Sequence, residues 1–273
     1  MTEATTAARH EPPPWAVVFS TQMRLLTALH RWLALALGAV GVLLLFGIID
    51  ETPPDLPRVF LAAPILTFAA LFWAGVVWSD EGPSRRSYHW AMPVDRRTHD
   101  LTRVATGAVY LLAVFALYAA FGLVLAAFDG NFDSALRLQG IFWANLFIGP
   151  LILYLLPTVL VLLVDRPMLW LIGLSLALIL ALNVLDHPSL DLARRALASV
   201  FTGDYGLFVA IAGGYVSQTR VIADGAGAGE SITLAQWSAA AALWIVLLCA
   251  ACGLAASVRP ERLAFLRRRR RRE

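Results

Sequence analysis

The sequence predicts an all-α, polytopic membrane protein with six transmembrane helices and an amphipathic interfacial helix ahead of them. Three observations predict it. Of 273 residues, 59% are hydrophobic and only 15% charged, where a soluble domain carries about a quarter, and the mean hydropathy is +0.69. Every folded surface already exposes much apolar area, so this composition requires lipid as solvent. The apolar residues are gathered into six long uncharged runs, and a short amphipathic stretch precedes the first of them.

Charges delimit the runs. They cover residues 32–49, 59–79, 104–128, 138–164, 167–185 and 231–258, with 18, 21, 25, 27, 19 and 28 residues. A helix of about 20 residues crosses the hydrocarbon layer. A membrane barrel would show alternating polarity over about ten residues, whereas these runs are continuously apolar. Backbone groups in lipid must be satisfied within the segment, which selects helices. No small-x-small cleavage pattern follows the first run, which ends Phe46-Gly47-Ile48-Ile49-Asp50, so it reads as a retained span and not a signal peptide.

Ahead of that span, residues 1–14 read as a disordered tail closed by Pro12-Pro13-Pro14. Residues 15–31 place Trp15, Val18, Phe19, Leu25, Leu26 and Leu29 on one face and Ser20, Arg24, Thr27 and Arg31 on the other, the pattern of a helix lying in the membrane interface. The alternative is a plain extension of the first span. Residues 186–230 form the longest connection. It includes a seventh apolar run, Tyr205 to Thr219, that is short for a span and carries Gly206, Gly213 and Gly214. This run is expected to be re-entrant or interfacial and too rich in glycine for a firm helix. Gly225-Ala226-Gly227-Ala228-Gly229 then reads as a flexible linker. Residues 32–258 make the transmembrane domain, and 259–273 a basic tail whose Arg267–Arg272 run suits anionic lipid headgroups.

All 22 basic residues are Arg. Seventeen of them fall in the N-terminal segment, the connection after the second span, the Asp165-Arg166 turn and the C-terminal tail, and five (Arg58, Arg137, Arg194, Arg195 and Arg220) in the opposite set. The Arg-rich side is expected to be cytoplasmic, with both termini inside. The absence of Lys excludes a Walker A loop, which needs one for the nucleotide phosphates. Cys249 and Cys252 have C-x-x-C spacing, but both lie in one apolar run with no His, Asp or Glu beside them. They read as small span residues, and no metal site is expected. An intramembrane Ser protease of the rhomboid kind needs a Ser in a Gly-x-Ser setting and a His in another span; Gly173-Leu174-Ser175 is present, yet His10, His30, His89, His99 and His187 all lie in flanks or loops. Ion-coupled carriers usually keep an ionisable group within the membrane, and none lies inside the six runs.

The most informative polar segment is the connection at 80–103. Ser84 is placed to cap a short helix that Pro93 stops, and Asp95 to cap the helix leading into the third span. Between them Tyr88, Trp90 and Met92 stand among arginines, residue types enriched at protein interfaces. An ordinary solvated loop is the alternative reading of the same composition.

The run of an acidic residue (Asp80 or Glu81), Gly82, basic Arg85 and Arg86, then Pro93-Val94-x-Arg96 resembles the loop between the second and third spans of ABC-2 type permeases, the membrane subunits of ABC exporters. Their order of elements, an amphipathic helix before six spans with re-entrant helices between spans five and six, is similar to that of nearly the whole chain; Arg103 stands where many members have a Lys. The resemblance implies that Glu81, Gly82, Arg85, Arg86, Tyr88, Trp90, Pro93 and Arg96 form a coupling helix that docks on an ATPase subunit. It implies a homodimer, or a heterodimer with another permease subunit, in the inner membrane of a prokaryote among its lipids. ATP and Mg would sit on the ATPase partner, with no cofactor in this chain, no covalent chemistry of its own and no nucleic acid. It also implies that the second and fifth spans line the substrate path, with Thr67, Ser175 and Asn183 as candidates.

Other polar residues of the spans include Tyr110, Asn145, Tyr154 and Thr158, and Pro64, Pro150 and Pro157 interrupt helical bonding. Each polar residue equally serves as a hydrogen-bonding contact between helices. Two further readings of the whole chain stay open: a membrane anchor or assembly protein that moves nothing, and an intramembrane enzyme with an unfamiliar site.

Overall fold

The computed structural model describes residues 13–28, 60, 63–78, 95–128, 130–138, 140–164, 172–173, 176, 195, 199–223 and 232–258. The expected span at 32–49, that at 167–185 apart from residues 172–173 and 176, the linker at 225–229 and the tail at 259–273 lie outside the described residues. So do Glu81, Gly82, Arg85, Arg86, Tyr88, Trp90, Pro93, Ser175 and Asn183.

Among the described residues the main elements are α-helices and there is no strand. In chain order they are α1 (Pro14–Ala28), α2 (Ala63–Val77), α3 (Arg96–Phe128), α4 (Phe132–Leu136), α5 (Gly140–Leu163), α6 (Leu207–Ala223) and α7 (Leu234–Val258). Three of them, α3, α5 and α7, are long and apolar enough to cross a membrane. At 1.5 Å per residue they measure about 50, 36 and 38 Å, against a hydrocarbon core of about 30 Å.

The bundle is apolar on its outside as well as within. Ile65, Phe68 and Phe72 of α2, Leu117, Phe121 and Phe128 of α3, and Val246, Leu247 and Leu254 of α7 all point outward. A soluble monomer does not leave so much contiguous apolar surface uncovered. The buried positions include Thr67, Thr106, Asn145 and Thr158. An apolar outer surface around an apolar interior that shelters a few polar side chains is the distribution that lipid imposes, and it marks the chain as a membrane protein.

α5 is the hub, packing on α2, α3, α6 and α7. Phe60, just ahead of α2, is buried edge-on against Tyr118 of α3 and Phe142 and Trp143 of α5, with ring centroids 6.3, 5.8 and 5.2 Å away. Such pairs add stabilisation beyond buried area. α1 lies along α3, burying Val18, Gln22 and Leu26 at four-residue spacing. Trp15 and Leu25, placed by the sequence on the same apolar face as Val18, are instead exposed. Only one stripe of a helix can touch a single neighbour, and these two lie beside that stripe.

Helix ends follow local chemistry. α3 begins at Arg96, directly after Asp95, and runs eight residues ahead of the uncharged stretch at 104–128. It ends where Gly130, at φ +72°, turns the chain so that the N–H groups of Gly130 and Asn131 return to the carbonyls of Ala127 and Ala126. α7 opens on a capping box: Thr233 Oγ1 accepts from the Gln236 N–H at 3.2 Å, and Gln236 Oε1 accepts from the Thr233 N–H at 3.0 Å. The run Tyr205 to Thr219, expected to be too glycine-rich for a firm helix, lies mostly within α6, Leu207–Ala223. The glycines of this helix are used where it meets its neighbours, as described next.

Candidate functional site

Two buried polar assemblies organise the bundle. The first is a node joining four helices. Asn145 of α5 donates from Nδ2 to the Ile211 carbonyl of α6 at 2.8 Å. Its Oδ1 accepts from Nε1 of Trp237 on α7 at 2.9 Å. The Tyr215 hydroxyl of α6 meets the Asn145 side chain and shares a hydrogen bond of 2.8 Å with Thr67 Oγ1 of α2. Asn145 is fully buried and Thr67 nearly so. Buried amides and hydroxyls must find partners in lipid, and here they find one another.

The node exists because α5 and α6 approach almost backbone to backbone. A Cβ on Gly214 would stand 2.6 Å from Asn145 Cβ and 2.6 Å from the Ile141 carbonyl. One on Gly149 would stand 2.7 Å from the Ile211 carbonyl and 3.3 Å from Thr67 Cγ2. Small residues that let helices close up are the usual device of membrane packing.

The second assembly lies where α2 ends against the first turns of α3. Arg103 is 1% exposed and donates to the Val77 carbonyl from Nε at 3.1 Å and from Nη2 at 2.6 Å. Its guanidinium carbon sits 4.7 Å from the centre of the Trp78 ring, a cation–π distance. Val77 is the last residue of α2, so the guanidinium satisfies a terminal carbonyl and complements the negative end of the helix dipole. One turn on, Tyr154 of α5 donates to the Val104 carbonyl at 3.1 Å, and Trp73 of α2 donates from Nε1 to the Gly107 carbonyl at 3.1 Å. Trp73 also stacks on Tyr110 at 5.3 Å. A side chain on Gly107 would collide with the Tyr154 hydroxyl. His99 and Asp100 are buried beside Arg103, with His99 Nδ1 3.5 Å from Asp100 Oδ1.

Of the residues the sequence singled out, Thr67 lies in the node, bonded to Tyr215. Arg96 is half-buried at the start of α3. Asn145, Tyr154 and Thr158 all bond within or between helices. Cys249 is exposed and Cys252 buried, and both are free thiols. No cluster of three or more His, Cys, Asp or Glu side chains able to hold a metal ion occurs among the described residues.

Sequence reasoning missed Tyr215 and Trp237 as node members and Arg103 as a buried clamp. The signal for the first two was present. An indole N–H or a phenol O–H within an apolar run needs an acceptor. For Arg103, counting uncharged residues set it as the boundary of the run, and so outside the bundle, although its side chain packs inward. No family model, curated protein or solved structure matches the chain.

Proposed function

We propose that the chain is the membrane-spanning permease subunit of an ATP-driven ABC exporter, forming a substrate path and coupling to separate ATPase subunits. The observation that carries this reading is the Arg103 clamp. The connection between α2 and α3, which bears the resemblance to a coupling loop, is joined at its two roots by one buried side chain: Arg103 of α3 holds the Val77 carbonyl and covers Trp78. A push on that connection therefore reaches α2 and α3 together, as coupling to an external motor requires.

The excess of Arg, 17 against five, supports a cytoplasmic position for the connection and for both termini. Three long apolar helices, the shorter α2 and the two apolar runs at 32–49 and 167–185 give a count of six spans. The exposed Arg24 opposite the buried Val18 and Leu26 suits α1 to an inner interface, where it flanks α3. Two such subunits pair in a prokaryotic inner membrane, as a homodimer or with a related permease. ATP and Mg belong to the partner. Hydrolysis there switches the path between inward- and outward-facing states, and cargo moves because its affinity differs between them. The apolar character of the spans favours a lipophilic or amphiphilic cargo.

The test is purification of the full chain from its native membrane in mild detergent, with identification of the chains that accompany it. A stoichiometric ATPase carrying a Walker A loop is the expected companion. Recovery of the chain without any ATPase contradicts the exporter and favours an anchor or assembly role.

A further inference from the structure

α5 carries a flexible point and a lock within five residues of each other. The flexible point is Gly149-Pro150 inside the helix. Pro150 has no N–H for the Leu146 carbonyl, and Gly149 contributes no side chain to stiffen the turn, a combination at which helices bend. The lock is the Asn145 node one turn earlier. Asn145 bonds α6 and α7, and α6 bonds α2 through Tyr215 and Thr67.

The chemistry of the node is that of a reversible contact. All four side chains are uncharged, so parting them strands no ion in lipid. Each interhelical bond of this kind shifts a two-state equilibrium by about threefold, the equivalent of about 0.6 kcal/mol in membrane proteins. The apposition of α5 and α6 rests on Gly149 and Gly214 meeting backbone atoms. Backbone contact of that type is lost within a small separation; the larger side chain of α6 at this crossing is Tyr215, which packs edge-on against Phe142 with ring centroids 5.5 Å apart.

We propose that Asn145, Tyr215, Thr67 and Trp237 form a latch that pins the part of α5 ahead of the Gly149-Pro150 hinge. Closed, as in this structure, it holds α6 against α2, α5 and α7. Open, α5 bends at Pro150 and α6 moves away from α2. The latch is a property of this chain alone and does not depend on a transport role or an ATPase partner.

The test uses the full chain in lipid nanodiscs, with both native cysteines replaced by Ala and spin labels on cysteines at Phe72 of α2 and Phe208 of α6, both exposed positions. Pulsed dipolar spectroscopy reads the distance distribution. The expected result is a major and a minor distance. Thr67→Val should raise the minor-to-major ratio about threefold, and Tyr215→Phe and Asn145→Leu each about tenfold or more, since each of these two removes more than one bond of the node. Pro150→Ala added to Tyr215→Phe should return the ratio towards that of the parent, because it stiffens the hinge without restoring the hydroxyl. One unchanged distance in every variant overturns the proposal. So does a shift in Tyr215→Phe that Pro150→Ala leaves untouched, because the bonds are then structural contacts unconnected to the hinge. If Asn145→Leu fails to fold, the two single-hydroxyl variants decide.

Discussion

Arg103 holds the Val77 carbonyl from two nitrogens of one guanidinium while covering the Trp78 ring. Hydrogen bonds from a charged donor are worth about 1.5–3 kcal/mol, and removal of this donor leaves a buried helix end unsatisfied. Arg103→Met should therefore lower unfolding stability by about 2–3 kcal/mol. Arg103→Lys should fall between the two, because an ammonium keeps the charge but has no planar fork for two bonds and a ring. Thermal unfolding in detergent checks the order. Equal midpoints for all three would remove the clamp, and with it the mechanical basis of the coupling reading.

The glycines of the α5–α6 crossing give a second prediction. Gly214→Ala and Gly149→Ala each place a Cβ under 3 Å from backbone or Cβ atoms of the facing helix, and overpacking of this kind costs about 1–3 kcal/mol. Gly253 of α7 has nothing within 4 Å of its Cβ position. There, Ala should be neutral or stabilising by up to about 1 kcal/mol, since Gly weakens a helix interior. Unfolding of the three variants side by side separates the two cases. A destabilised Gly253→Ala, or a neutral Gly214→Ala, would mean that the helices pack otherwise.

How far the sequence alone reached can be judged from these same residues. α5 and α7 fall inside the runs 138–164 and 231–258 because in lipid the spacing of charges reports span length directly. Asp95 marked the start of α3 by cap chemistry, and α3 does begin at Arg96. The same rule hid the buried Arg103, because a charge ends a run whether its side chain points into water or into the protein. α6 was misread as infirm because the cost of glycine in a helix is a local quantity, whereas the close approach it permits at Ile141 and Asn145 is tertiary. The node itself was half legible. Thr67 and Asn145 stood out as polar residues in apolar runs, but which residues they would meet is set by the fold, 148 positions away in the case of Thr67 and Tyr215.

Orientation supplies a third prediction. Single cysteines at Thr52 and Ala226, introduced into a chain without Cys249 and Cys252, should react with a membrane-impermeant maleimide added to intact cells. One at Ser87 should react only after permeabilisation. The basis is the distribution of Arg between the two sets of segments. External labelling at Ser87 would invert the topology and place the proposed coupling segment on the wrong side of the membrane.

The most direct test of the central claim is docking at Tyr88 and Trp90. Large aromatic side chains at a buried contact typically cost about 2 kcal/mol or more when truncated, a loss of about thirtyfold in affinity. Full-length wild type and Tyr88→Ala/Trp90→Ala are compared in two assays: retrieval of the ATPase subunit, and ATP hydrolysis by the reconstituted complex in liposomes. The account predicts that the double variant inserts normally, since no apolar run is touched, and that it retrieves less ATPase or hydrolyses ATP without transport. Equal retrieval and equally coupled hydrolysis in both proteins would contradict it.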